Sequence, residues 1–190
     1  MQSICIYCGS SKGNNPSYSK IARETGAYFA ARNIKIVYGA GNVGLMQEVA
    51  DGALEAGGEV IGVIPEFLKK WEVCHEGLTD LHVFETMHQR KSFMAEISDG
   101  FLALPGGFGT LDELFEIMTW KQLHLHKKTV GILNVNGYFD HALAQIDHMV
   151  NEGFLKAENR DMIHVDTDIN SLMEKMLQNA PIPSEGKWIG

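Results

Sequence analysis

The chain has 190 residues, of which 45% are hydrophobic and 21% charged, and its net charge is −8. That length suits one domain with a sizeable core, and the acidic balance argues against a sequence-independent grip on nucleic acid, which needs a basic surface. No apolar run approaches the roughly 20 residues of a membrane span, the first residues lack a basic-then-apolar leader pattern, and three cysteines are too few for a disulfide framework, so a cytoplasmic protein is expected.

Residues 3–8 read as a first strand. Within it Cys5 and Cys8 face opposite sides by alternation, which fits buried thiols better than a redox pair. The turn Gly9-Ser10-Ser11-Lys12-Gly13 follows, at the end of a strand where open α/β sheets present their ligands. Ser10 and Ser11 are candidate donors to a phosphate or ribose, and equally plain turn residues. A helix follows from Pro16, with Ile21, Thr25, Tyr28 and Phe29 on one face.

Ile34–Tyr38 is a second strand and leads into Gly39-Ala40-Gly41-Asn42-Val43-Gly44, a literal G-x-G-x-x-G ahead of a helix. It belongs to the second βα unit, however, and the acidic residue due at the end of the next strand is at best Glu66. No nicotinamide cofactor is therefore expected. Val60–Ile64, closed by Pro65, is a third strand. The irregular stretch 66–80 carries Trp71, Glu72 and Cys74, and a long connection there often reaches over a site. The histidines and cysteines show no convincing metal-ligand spacing, and no metal is expected.

Leu81–Glu85 alternates like a strand. In the helix after it Met87, Arg90, Met94 and Ile97 share one stripe, with Lys91 beside it. An arginine in an apolar stripe keeps its charge, so it either snorkels or meets an anion. The neighbouring element favours the anion, and Lys91 would add a second positive charge there.

That element is the centre of the chain. A buried strand, Gly100–Leu104, runs into Pro105-Gly106-Gly107-Phe108-Gly109-Thr110-Leu111-Asp112-Glu113 and a helix marked by Leu111, Leu114, Phe115 and Met118. The glycines are expected to supply positive φ in a tight turn and to leave room for a ligand. Thr110 suits the helix N-cap, and the unpaired N–H groups of such a helix start favour a phosphate. Glu113 then stands beside the anion. The competing reading is structural: Thr110-x-x-Glu113 is also a capping box.

The helix is expected to run through Trp120 to about Lys128, with His124 and His126 at its end. Thr129–Leu133 is a further strand, Asn134–Tyr138 a turn, and Ile163–Val165 a short last strand before a helix capped by Asp168 or Asn170. Strands alternating with helices argue a doubly wound α/β fold, Rossmann-like, with a mostly parallel sheet and helices on both faces. A single domain over 1–180 and a tail over 181–190 are expected.

The stretch Pro105–Glu113 fits PGGxGTxxE, Met87–Lys91 fits MHxRK, and with Cys8-Gly9-Ser10-Ser11 they make the chain resemble the LOG ("Lonely Guy") family from about Cys8 to Phe154. The resemblance implies a cytokinin riboside 5′-monophosphate phosphoribohydrolase, often mislabelled a lysine decarboxylase, that splits adenosine 5′-monophosphates, N6-substituted or plain, into free base and ribose 5-phosphate without a cofactor. It implies Arg90 and Glu113 as the catalytic pair. It further implies substrate contacts at Glu72, Lys91 and Thr119, with Ser10 and the turn Gly106, Gly107, Phe108, Gly109 and Thr110 around the phosphate, and a homodimer as the basic unit. Two family patterns are only partly kept. Ala40 and Gln47 stand where a GGGxxGLMG run has glycine, Ala40 reading as a mild change, and His124 and Thr129 replace the Gly and Pro of GxHxKP. Molybdenum-cofactor carriers share the PGGxGT turn, so a non-catalytic carrier of a phosphorylated ligand is the alternative.

Overall fold

A computed structural model describes residues 1–69 and 74–178. Glu72, Trp71 and the expected tail lie outside the described residues. The elements run β1 (Ser3–Tyr7), α1 (Pro16–Ala30), β2 (Lys35–Tyr38), α2 (Gly44–Glu55), β3 (Val60–Pro65), α3 (Glu66–Lys69), β4 (Asp80–Phe84), α4 (Met87–Ile97), β5 (Gly100–Ala103), α5 (Phe108–Gln122) and β6 (Thr129–Leu133). A 3₁₀ turn at Val135–Gly137 leads to α6 (Asp140–Asn151), α7 (Ala157–Arg160), β7 (Ile163–Asp166) and α8 (Ile169–Leu177).

The strands form one sheet in the order β4-β3-β2-β1-β5-β6-β7, and each neighbouring pair is parallel. A parallel sheet buries both faces, and strand alternation decides what each face receives. Ile4 and Ile6 of β1, with Cys8 just after it, enter a core with Phe29, Val49 and Met173, residues of α1, α2 and α8. Cys5 and Tyr7 enter the opposite core with Met94, Leu114, Ile117 and Ile146, residues of α4, α5 and α6. The two thiols thus face opposite sides as expected, and both are buried.

The caps follow the local sequence. The Asn15 side chain accepts from Ser17 N–H with Pro16 opening α1, and Asp168, one of the two cap candidates, accepts from Ser171 N–H to start α8. Thr86 and Gln89 make the capping box of α4. α5 ends earlier than the sequence predicts, at Gln122. His124 then turns the chain at φ 59°. His126 folds back to donate from Nε2 to Ile117 O at 2.8 Å, its Nδ1 accepting from Lys128 N–H.

The strand order reverses direction between β1 and β5. Leu104 N–H donates to Tyr7 O at 2.9 Å and Gly9 N–H to Pro105 O at 3.0 Å, so the two turns that leave these strands are tied together. Open α/β sheets form a ligand crevice at such a switch point.

Candidate active site

The turn after β5 holds its shape differently from the sequence expectation. None of Gly106, Gly107 and Gly109 takes a positive φ. Gly106 is a glycine because a Cβ there would strike Thr110 Oγ1 and come within 2.7 Å of Gly9 N. At Gly107 and Gly109 a Cβ would meet nothing, so these residues leave space for a guest rather than relieve strain.

Nor is Thr110 the N-cap. Gly107 caps α5, and Thr110 is the third helical residue, buried under the turn. Packing decides this, because Thr110 fills the space that Gly106 leaves empty. The first intrahelical bond runs from Leu111 N–H to Gly107 O at 3.2 Å. The N–H groups of Phe108, Gly109 and Thr110 therefore have no intrahelical acceptor and face outward with the positive end of the helix dipole. A cleft of about 240 Å³ opens here, lined by Ser10, Lys12, Tyr18, Gly106, Gly107 and Tyr138 among others. The Tyr138 hydroxyl donates to Gly106 O at 2.5 Å and braces the turn from the far side.

The glycine run after β2 is used otherwise. Leu45 N–H and Met46 N–H, at the start of α2, both donate to Gly9 O, at 3.0 and 3.3 Å. Gly44 stands at φ 61°, where a Cβ would strike the backbone of Ser10 and Ser11. This helix start is thus filled by protein and grips the β1 turn, unlike the start of α5. Ala40 also has a positive φ, 63°, and is fully buried. Its replacement of glycine is consequently not mild: an L-residue there costs roughly 1–2 kcal/mol of backbone strain.

Arg90 settles the capping-box question. From the inner side of α4 its Nε donates to Val63 O at 3.0 Å and one terminal nitrogen to Glu113 Oε1 at 2.6 Å. Another terminal nitrogen lies where a Cβ on Gly39 would be, at 2.5 Å, so Gly39 makes room for the guanidinium. Arginine and carboxylate are both nearly buried, with 10% and 13% of their side chains exposed. Glu113 reaches across to Arg90, not back to its own helix start. Burial pushes the Glu113 carboxyl above its ordinary range, and the adjacent Arg90 charge pulls in the opposite direction without cancelling that effect. Tyr7, at the end of β1, lines the same small enclosure as Glu113, and burial raises its phenol as well.

The remaining expected contacts are dispersed. Ser10 is at the cleft. Lys91 is held by Asp112 at 2.7 Å and Glu116 at 3.2 Å. Burial lowers its pKa, but those two carboxylates more than offset this and hold it above the usual lysine value. Thr119 lies eleven residues beyond Phe108, about 16 Å along α5, where its hydroxyl donates to Phe115 O and it lines a different cavity. Sequence reading missed Lys12 and Tyr138, both at the cleft, as well as the Val63 carbonyl. A lysine beside the Ser10-Ser11 turn was a usable signal; the Tyr138 contact depends on β6 lying next to β5 and has no local trace.

A family model described as "Possible lysine decarboxylase" matches residues 46–176. A probable cytokinin riboside 5′-monophosphate phosphoribohydrolase of Oryza sativa subsp. japonica is 44% identical over 179 residues, which cover 94% of this chain and 79% of that protein. A cytokinin riboside 5′-monophosphate phosphoribohydrolase of Arabidopsis thaliana is 43% identical over 189 residues, covering 97% of this chain and 89% of that protein. Among solved structures, the molybdenum cofactor carrier protein of Chlamydomonas reinhardtii superposes with a TM-score of 0.68 at 21% identity, over 90% of this chain and 94% of that one. The molybdenum cofactor binding protein of Rippkaea orientalis gives 0.68 at 22%, over 90% and 93%. At such identities these structures show a shared fold and nothing about function.

Proposed function

The chain belongs to the LOG family of cytokinin riboside 5′-monophosphate phosphoribohydrolases, and from that premise we propose how its residues divide the reaction. The enzyme hydrolyses the N-glycosidic bond of cytokinin riboside 5′-monophosphates, and we extend the proposal to adenosine 5′-monophosphate itself, each giving a free base and ribose 5-phosphate. The observation that carries the assignment of roles is the buried Arg90–Glu113 pair, with Glu113 on the helix that opens at the switch-point crevice.

The 5′-phosphate binds the N–H groups from Gly106 to Thr110 in the cleft between the β1 and β5 turns, with Ser10 as a further donor. Cleavage breaks the bond from the ribose C1′ to the base; its electron pair leaves with the base, which takes up a proton. Positive charge builds on the ribose ring, as in other glycoside hydrolyses. The Glu113 carboxylate faces that charge, stabilises it, and accepts a proton from the water that adds to C1′. Arg90 is the positioning residue for Glu113, fixing one carboxylate oxygen and leaving the other for chemistry. The same cation keeps an ionised form accessible that burial alone would suppress. The carrier alternative is not favoured: the carriers share the fold only, and a passive binder gives no reason to bury a charged pair beside its ligand.

We extend the reading to a homodimer. It is supported by large apolar side chains standing in solvent, Phe108 at 94% exposure, Phe154 at 87% and Leu125 at 68%. Light scattering at the working concentration tests it, and a monomer mass refutes it. Buried thiols at Cys5 and Cys8 suit the reducing cytoplasm. The reaction is tested by incubating the protein with AMP and with isopentenyladenosine monophosphate and following free base by chromatography. Release from either supports the phosphoribohydrolase, and the ratio of kcat/KM values names the preferred base. A folded protein that retains a phosphorylated ligand but releases no base overturns it in favour of the carrier.

A further inference from the structure

Lys121 has no part in the reaction, and its setting is unusual for a lysine. It lies on α5, 13 residues beyond Phe108 and so about 20 Å along the helix from the phosphate cleft. Only 7% of it is exposed. Its Nζ donates to Met162 O at 3.2 Å, whereas an ammonium carries three donors. No carboxylate oxygen of a described residue lies within 4.0 Å of it. Burial lowers its pKa with no acidic neighbour to oppose it. Burying a cation without a counter-charge is costly, and the site as it stands supplies none.

What the site does supply is space. Lys121 lines a cavity of about 160 Å³ between α5, α6 and the segment leading to β7. Phe115, Met118, Ile146, Met149, Leu155 and Met162 give it a mainly apolar wall, Thr119, Gln122 and Asn159 add neutral polar groups, and among the described residues Lys121 is the one charged residue lining it. An apolar cavity of about 150 Å³ is enough for a benzene ring. Shape and charge together define the guest: a compact apolar body for the walls and a single carboxylate for the unfilled ammonium donors. A phosphate dianion is a poorer match for one lysine in apolar surroundings.

We infer that the cavity between α5 and α6 binds a small monocarboxylate with one ring or a short branched chain, its carboxylate paired with Lys121. The proposal does not rest on the roles given to Arg90, Glu113 or the phosphate turn, although Thr119, a substrate contact implied by the family resemblance, lines the same cavity. Three of the walls are methionines, so the site reports on itself through methyl resonances. The full chain, labelled at its methionine methyl groups, is titrated with benzoate and separately with benzyl alcohol, the uncharged counterpart. Benzoate is expected to shift Met118, Met149 and Met162 saturably, with an affinity at least about tenfold above that of benzyl alcohol, the order expected of a charge-assisted hydrogen bond. The Lys121→Met variant is expected to bind the two probes alike. Equal affinity of the unmodified protein for both probes overturns the proposal, as does an absence of shift at the three methyls. Retention of the benzoate preference in Lys121→Met also overturns it. The first two results need no variant, so a folding failure of Lys121→Met leaves the test decisive.

Discussion

Replacing Arg90 by methionine gives a sharp test of the buried pair, because it keeps the side-chain length and removes the charge. Three interactions disappear: the bond to Glu113 Oε1 at 2.6 Å, the one to Val63 O at 3.0 Å and a weak one to Met87 Sδ at 3.4 Å. Breaking a buried ion pair by removing one partner costs about 3–5 kcal/mol, and most of it comes from the carboxylate left behind. That portion depends on pH. Burial already raises Glu113 with Arg90 present, and without the cation the rise is larger. A group whose folded pKa is raised contributes its stability below the unfolded value, near 4.3 for Glu, and loses it as pH rises through the folded value. The deficit of Arg90→Met relative to the unmodified protein is therefore smallest in acid, where protonation of Glu113 removes the stranded charge. It grows by up to about 1.4 kcal/mol per pH unit above that, towards the full cost near pH 8. Urea unfolding of both proteins at several pH values measures it. Adding Glu113→Gln to Arg90→Met removes the stranded charge, which is expected to recover much of the loss and flatten the pH dependence. A deficit equal at pH 5 and pH 8 would refute the electrostatic argument and leave a packing defect in its place.

Other substitutions probe the turns. His124→Gly relieves an exposed left-handed residue at φ 59° and is expected to raise stability by up to about 1 kcal/mol in thermal unfolding; a loss would show that the His124 side chain holds the end of α5. Gly106→Ala brings a Cβ against Thr110 and within 2.7 Å of Gly9 N. It is expected to cost about 1–3 kcal/mol and to lower kcat/KM about a hundredfold through displacement of the phosphate turn, whereas unchanged kinetics would detach that turn from the site. Asp99 accepts from Gln2 N–H and Ser3 N–H, and these bonds depress its carboxyl pKa. Its contribution is present above the ordinary Asp value and is lost as pH falls below that value through the depressed folded one. Asp99→Asn is therefore expected to destabilise at neutral pH and to converge with the unmodified protein in acid, as chemical unfolding at both pH values will show.

The order of strands and helices is legible because apolar runs of four to six residues alternate with helical stripes, and β7, the shortest signal, still shows as Ile163-His164-Val165. The glycine turn that opens α5 is legible for the same reason, as a glycine cluster between strand and helix. What local sequence does not encode is which groups at a helix start are already occupied. The G-x-G-x-x-G after β2 looks like a second phosphate site until Gly9 O is found on Leu45 and Met46 N–H, a contact between segments more than thirty residues apart. The same holds for Glu113. Its spacing from Thr110 fits a capping box, and only the arrival of Arg90 from α4 decides its direction. The placing of Thr110 was misread because a cap preference of about 1 kcal/mol yields to the packing space left by Gly106. The positive φ at Ala40 and His124 cannot be seen in residue types that ordinarily avoid it.

The central claim is that Glu113, held by Arg90, carries glycosidic cleavage beside a phosphate bound at the start of α5. The most direct measurement compares Glu113→Gln with the unmodified enzyme on AMP, following adenine release under single-turnover conditions and AMP binding by calorimetry. The account predicts that binding persists within about tenfold while release falls by at least about a thousandfold, a loss on the scale of general acid–base and electrostatic catalysis combined. Release at the unmodified rate would contradict it and return Glu113 to a structural role.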